Sequence, residues 1–291
     1  MVNKVLMHSF PGGFAMSIIV GIDVGGSTTK IVGFDGNKLL QPILVKATDP
    51  IASVYGGFGK FTSDNKISLS SIEKVMVTGV GSAFLGDNIY GIEAVHINEF
   101  TANGKGGLYL SGIDEAVIVS MGTGTAYVYA NGRTKEYIHL GGTGVGGGTL
   151  AGLADKLIGV HSVQNVANLA LGGNLENIDL RISDITDTDI SPTLKDNTTA
   201  SNFGKISDLA SREDIALGLL NMVYETIAMM AIFSARTKGI RDIILIGNLA
   251  VLPQSKEIFD KLKNMFNVNI IIPENAAYGT VIGAALEGLG Y

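Results

Sequence analysis

Cysteine is absent from the 291 residues. Its absence removes disulfide scaffolds, cysteine nucleophiles, Cys-based zinc sites and iron–sulfur clusters together. The histidines, His8, His96, His139 and His161, are scattered and form no metal-ligating pair at helical spacing. No G-x-S-x-G elbow occurs, so an α/β-hydrolase would lack its nucleophile. No G-x-x-x-x-G-K-[ST] occurs either, which excludes a Walker A loop. Charged residues are 16% of the chain, with 21 Lys and Arg against 27 Asp and Glu, a net charge of −6. That sign disfavours a nucleic-acid partner. No uninterrupted apolar run reaches the roughly 18 residues of a membrane span, so no membrane partner is expected.

Proline is scarce, with 6 residues, but glycine reaches 39 of 291, about 13% against a background of roughly 7%. The glycines cluster between apolar segments, where they permit tight turns and close approach of a ligand. Hydrophobic residues are 46%, enough for a sizeable core in one large or two medium domains. Residues 1–15, with Pro11-Gly12-Gly13, read as an extension or an upstream start and are expected to be disordered. Met16 opens directly onto a strand. His8, Ser9 and Pro11 break the apolar stretch and no clean cleavage site follows, so a signal peptide is disfavoured and a cytoplasmic protein expected.

The chain echoes itself. Strands at 18–23 and 28–34 flank Gly25-Gly26-Ser27, and Asp35-Gly36 is a hairpin signal. Strands at 116–120 and 125–129 flank Gly122-Thr123-Gly124, and Asn131-Gly132 follows. The same number of residues separates Ser27 from Thr123 and Gly36 from Gly132. Further strands are expected at 74–78, 94–97, 133–140, 242–246 and 268–272. Helices are expected near 101–111, from Thr149, and over 161–172, 213–238, 254–266 and 276–288. Residues 83–91 read as a short helix or loop, and 173–206 as polar and loop-rich. Alternating strands and helices indicate α/β. The echo indicates two related domains, 16–112 and 113–291, with a cleft between them.

Asp23-x-Gly25-Gly26-Ser27-Thr28-x-Lys30 carries the strongest chemical signal. The strand delivers Asp23 to its carboxyl end, where α/β ligands sit. The glycines bring backbone N–H groups to an anion, and the hydroxyls and Lys30 add donors. Asp23 can hold Mg²⁺ or its waters. The plainer reading is a glycine-rich hairpin with Lys30 lying along the surface. The second hairpin at 122–125 weighs against that, because two such turns facing one cleft grip a triphosphate from both sides. Gly142-x-Gly144-x-x-Gly147 lacks the acidic residue expected about 20 positions on, so it reads as a helix start free for phosphate or adenosine; a packing turn is the alternative. Glu99 opens a helix, where it complements the dipole. At a strand exit beside the phosphate loops, it can also accept a hydroxyl proton. The segment Thr199–Gly204 suggests a turn or lid. Helix 213–238 is apolar on nearly every face, which suits either the core or the interface of a homodimer.

These loops, with Gly141–Gly148, Thr199–Gly204 and the tail Ala277–Leu286, resemble type II pantothenate kinases, members of the acetate kinase, sugar kinase, heat-shock ATPase and actin superfamily. The resemblance runs from Met16 onward. It implies two related actin-like ATPase (ribonuclease H-like) domains around a nucleotide cleft. It implies phosphorylation of pantothenate by Mg-ATP, the first step of coenzyme A synthesis, in a homodimer joined by the long helix. The family's catalytic glutamate falls on Glu99. Its first nucleotide loop falls on Asp23, Val24, Gly25, Gly26, Ser27, Thr28, Thr29 and Lys30, and a phosphate-contacting threonine falls on Thr123. Further nucleotide contacts fall on Gly147, Gly148, Thr149, Leu150 and Ala151, and on Val163 and Asn248, where both side chains differ from the family's.

One departure concerns the acceptor. The family's arginine for the substrate carboxylate stands just before a Gly-Gly pair; here His139 takes its place, before Leu140, Gly141 and Gly142. Imidazole is shorter and lacks the permanent charge and bidentate fork of guanidinium. Arg133 and Lys135 sit at two-residue steps from His139 on the expected strand, so they would share its face. Rival readings are the same chemistry on another alcohol or a sugar, and an ATP-hydrolysing activator. Activators of acyl-CoA dehydratases share the first loop but need cysteines for an iron–sulfur cluster.

Overall fold

The structure, a computed structural model, describes residues 17–46, 49–186 and 198–291. Residues 1–15, Met16 and Pro192 lie outside the described residues. The first sheet contains β1 (Ile18–Val24), β2 (Thr28–Asp35), β3 (Lys38–Leu39), β4 (Ile43–Lys46), β5 (Ile72–Thr78), β6 (Asn88–Ile89) and β7 (Ile92–His96), ordered β3-β2-β1-β5-β7-β6 with β4 also on β2. β1 is buried on both faces, and its alternation assigns each face a partner. Val20, Ile22 and Val24 pack with Val54, Phe58 and Phe61 of helix α1 (Pro50–Asn65). Each large side chain so buried contributes roughly 1.5–3 kcal/mol. Sequence reading placed no element between Gly36 and Lys74. There Gly56, Gly57 and Gly59 mask the helical pattern of α1, although Asp49 caps it by accepting from Ala52 N–H at 2.7 Å and Pro50 opens it.

The second sheet repeats the arrangement with β8 (Glu115–Met121), β9 (Thr125–Asn131) and β10 (Glu136–Thr143). After the small ribbon of β11 (Leu180–Arg181) and β12 (Thr199–Ser201), β13 (Asp242–Ile246) and β14 (Asn269–Ile271) complete it, in the order β10-β9-β8-β13-β14. Each sheet thus pairs an antiparallel hairpin with a parallel strand on the hairpin's first member: β2-β1-β5 in one, β9-β8-β13 in the other. The expected strand from Arg133 begins only at Glu136, because Lys135 turns the chain at φ 56°. It then continues through Gly141 and Gly142. Thr199–Ser201, expected as part of a turn or lid, pairs with β11 as a strand.

The remaining helices are α2 (Glu99–Ser111), α3 (Gly147–Ile158), α4 (Val163–Ala170), α5 (Arg212–Thr237), α6 (Ser255–Phe266) and α7 (Gly279–Gly288). An 18-residue window of α5 has mean hydropathy 1.7, so this helix does reach the length and composition of a membrane span, against the sequence expectation. Its faces are nonetheless covered by α3, α4, α6 and the second sheet, with Leu219, Leu220, Tyr224 and Ile227 in the core. That internal cover removes the sequence argument that a second copy is needed to bury it. Phe233 stays 55% exposed.

Two helices cross between the sheets. α2 follows the first sheet but packs on the second, against β8, β9, β10 and β13. α7 follows the second sheet but packs on the first, against β1, β2 and β5. Where they meet, a Cβ on Gly106 would lie 1.8 Å from the Gly279 carbonyl oxygen, and one on Gly283 would lie 1.8 Å from that of Ala102. Backbone therefore touches backbone, and only glycine fits. Gly283→Ala should destabilise the fold by about 3 kcal/mol, the upper range of ordinary overpacking. Gly59→Ala, in α1 with no atom within 4 Å of the new Cβ, should stabilise it by about 0.5–1 kcal/mol. Urea unfolding of both variants checks this; coinciding midpoints would refute the contact.

Candidate active site

The hairpin turns of the two sheets face each other. β1 ends at Asp23 and Val24 before Gly25–Ser27, and β8 ends before Gly122–Gly124. The Ser27 Oγ and Thr123 Oγ1 atoms lie 3.5 Å apart, closing one side of a cleft of about 350 Å³. Asp23, Gly25, Gly26, Ser27, Thr28, Lys30, Glu99, Thr123, Gly142 and Asn248 all line it. Two glycines behind the turns repeat the echo. Gly79 follows β5 with φ 89° and Gly247 follows β13 with φ 97°. A Cβ on Gly79 would stand 2.6 Å from Asp23 Oδ1, and one on Gly247 would stand 2.4 Å from the Met121 carbonyl oxygen. Sequence reading missed Gly79. Its signal is the glycine just after an apolar strand, the same place that Gly247 holds. Ser120 also lines the cleft unforeseen, while Thr125, Thr143 and Thr280 fall within segments already singled out, the hairpin at 122–125, Gly141–Gly148 and Ala277–Leu286.

Asp23 and Lys30 are direct cross-strand partners. Lys30 is only 6% exposed, so it does not lie along the surface. Burial pushes its ammonium pKa down while the Asp23 charge opposes the shift. Burial pushes the Asp23 carboxyl up, and Lys30 opposes that in turn. Glu99 is the first residue of α2, whose N-cap Asn98 accepts from the Phe100 and Thr101 amides at 2.9 and 3.3 Å. Burial raises the Glu99 carboxyl, and the like charge of Asp23 raises it further. A carboxylate made more basic in a cleft is suited to taking a proton. Among the described residues no cluster of three or more metal-ligating side chains occurs. Mg²⁺ bound with a nucleotide needs only one or two carboxylates besides phosphate and water. Asp23, half-buried and close enough for its charge to act on Glu99, fits that role.

Other expected residues lie elsewhere. Val24 is fully buried in the first core. Thr29 turns toward α1, where its hydroxyl meets Ser53 Oγ at 2.8 Å. The start of α3 is not the free phosphate site expected. The amides of Gly147 and Gly148 donate to the carbonyls of Gly122 and Thr123 at 2.9 Å, and that of Leu150 donates to Gly146. The run therefore behaves as the packing turn and holds the Thr123 hairpin in place. Thr149 Oγ1 caps it by donating to the Gly144 carbonyl at 2.8 Å. Leu150 is buried, Ala151 is half-buried, and Val163 packs on the second core. None of these lines the cleft. His139 stacks on Phe100, the neighbour of Glu99, with ring centres 3.9 Å apart and planes 8° from parallel. Gly141 follows it at φ 146°. Arg133 and Lys135 do not share its face, because both precede β10 and Arg133 is bound to Asp114 at 2.6 Å. Lys30 is the only cationic side chain lining the cleft among the described residues.

The Fumble family model matches residues 111–267. The chain is 30% identical over 291 residues to a type II pantothenate kinase of Bacillus cereus (strain G9842), covering 94% of this chain and 99% of that one. A type II pantothenate kinase of Staphylococcus haemolyticus is 28% identical over 276 residues, covering 91% and 98%. Among solved structures, the activator of 2-hydroxyisocaproyl-CoA dehydratase from Clostridium difficile, with bound ADPNP, superposes with TM-score 0.68 at 17% identity, covering 94% of each chain. A ROK hexokinase from Thermus thermophilus gives 0.53 at 12% identity, covering 92% of this chain and 97% of that one. These likenesses carry the fold: two actin-like ATPase lobes, as the sequence resemblance implied.

Proposed function

The chain belongs to the type II pantothenate kinase family, and from that premise we propose that it transfers the γ-phosphoryl group of Mg-ATP to the hydroxyl of pantothenate, giving 4′-phosphopantothenate, the first step of coenzyme A synthesis. The observation that carries this reading is the meeting of Glu99 with both hairpin turns in one cleft. Phosphoryl transfer asks chiefly for positioning and for charge stabilisation. Gly25–Thr28 and Thr123 receive the phosphates, Lys30 offsets their charge, and Asp23 holds Mg²⁺ or its waters. Asn248 lies on the same wall and serves the nucleotide, with Gly147–Ala151 as the support behind the second turn. Val24 and Thr29 contribute through the shape of the first turn, and Val163 through packing. Glu99 takes the hydroxyl proton as the oxygen bonds to the γ-phosphorus and the bridging oxygen leaves with ADP. The dehydratase-activator version of the rival reading has no support in a chain without cysteine.

Glu99→Gln should keep ATP binding and lose turnover by roughly 10²–10⁴-fold, the usual range for removal of a general base. Because burial and the Asp23 charge hold the Glu99 carboxyl above the ordinary glutamate range, the parent loses its base form as pH falls through that raised value. The acid limb of kcat/KM should therefore stand above the range of an ordinary glutamate and vanish in Glu99→Gln. A variant with parental kcat would return Glu99 to its helix-start role.

His139, Gly141 and Gly142 form the acceptor end of this reading, with His139 held against Phe100. A missing guanidinium weakens a remote grip more than it slows the chemistry, so the effect falls on KM. His139→Arg should lower KM for pantothenate several-fold. If both proteins ignore pantothenate while turning over another alcohol or a sugar, the kinase assignment stands with a different acceptor, the reading that the missing arginine favours.

The reading includes a cytoplasmic homodimer joined along α5, supported by the exposed Phe233 on that helix. Sedimentation at micromolar concentration should give twice the chain mass. A monomer throughout would remove the dimer and leave the chemistry untouched.

A further inference from the structure

At the glycine crossing of α2 and α7 the Thr280 hydroxyl donates to Asn103 Oδ1 at 2.7 Å. Asn103 is fully buried, one helical turn beyond Glu99 on the same face of α2. Thr280 is 7% exposed, and it lines the cleft from the first turn of α7. We propose that Asn103 and Thr280 act as a pair of positioning residues that fix the register of α2 on α7, and through it the placement of Glu99 against Asp23, Lys30 and the phosphate turns. The proposal rests on the reading of Glu99 as the base.

Backbone lying on backbone allows close approach but carries little directional preference, so it resists separation better than sliding. A hydrogen bond restricts both distance and angle. The other polar contact between these helices, Lys105 with Glu287, lies at the far end of α7. Asn103 with Thr280 is thus the polar contact nearest the chemistry. It is poorly explained by stability, because Asn103 Nδ2 is buried without a partner, and a lone buried donor is destabilising. A half-satisfied amide at this point makes sense as a device for register. The two helices belong to different sheets, so a slip between them moves Glu99 relative to Asp23. Misplacement of about 1 Å costs a reaction of this kind about 10²-fold.

The test separates register from stability. The double variant Asn103→Leu/Thr280→Val removes both polar groups at similar volume. It should melt at or above the parent's temperature, bind an ATP analogue normally, and lose about 10- to 100-fold in kcat. The cysteine-free chain also accepts spin labels at Lys60→Cys on α1 and Lys256→Cys on α6, both exposed. The parent should give one narrow inter-label distance distribution with the ATP analogue bound. The double variant should broaden it, and Thr280→Ser should keep it narrow. A distribution as narrow as the parent's, or a kcat within twofold, overturns the proposal. So does a loss of kcat that tracks a lowered melting temperature. Should the double variant fail to fold, Thr280→Val alone is read by the same distance measurement. If the parent itself does not phosphorylate pantothenate, the proposed function falls while the distance distribution still decides the register.

Discussion

Everything at the cleft depends on the exchange of helices between the two sheets. α2 arises from the first sheet and lies on the second, while α7 does the reverse. Each sheet is therefore tied to the other by a helix it did not produce. The tie is as close as backbone allows, through Gly106, Gly279 and Gly283. Closeness matters because the hairpin turns must approach to the 3.5 Å seen between Ser27 and Thr123. A bulkier crossing would open the cleft at its base and part the turns at its mouth. The abundance of glycine thus has two separate causes, ligand approach at the turns and helix approach at the crossing.

The charges follow from that geometry. Asp23, Lys30 and Glu99 are gathered in one partly desolvated space, and burial moves each toward its neutral form. Lys30 tempers the shift of Asp23, whereas Asp23 aggravates that of Glu99. Under the proposed function, a divalent cation bound with polyphosphate would relieve this crowding of charge. The cation offsets the carboxylates, and the phosphates offset Lys30. Glu99 stands on the helix that packs on the sheet opposite Asp23.

The internal echo was legible because turn chemistry is local. Gly25–Ser27 and Gly122–Gly124 mark their hairpins whatever packs around them, and Asp242–Ile246 matched residue for residue because an unbroken apolar run has few other options. The start of α3 was misjudged for a non-local reason. Whether the amides of Gly147 and Gly148 are free depends on the carbonyls of Gly122 and Thr123, some 25 residues earlier in the chain. The burial of Lys30 was not legible either, although its place among the donors of the first turn was expected. Its burial comes from its place opposite Asp23 and beneath the cleft, which no side-chain pattern encodes. α1 went unread because three glycines dilute its periodicity. One of them, Gly57, is buried where a Cβ would meet Ile31 and Val45 at 3.2 and 3.3 Å, so the dilution serves packing on the sheet.

The acceptor end of the proposed function turns on position 139. With Arg133 bound to Asp114 and Lys135 in the turn, β10 brings no cation toward the cleft. His139 instead lies flat on Phe100. That stack joins β10 to the first turn of α2, immediately beside Glu99. A guanidinium can stack in the same way while presenting its fork to a carboxylate, whereas an imidazole so stacked has only its ring edge to offer. The stack therefore supports the turn that carries Glu99. Under the proposed function, support of Glu99 and recognition of the acceptor's far end are therefore separable, and an imidazole at position 139 weakens only the second.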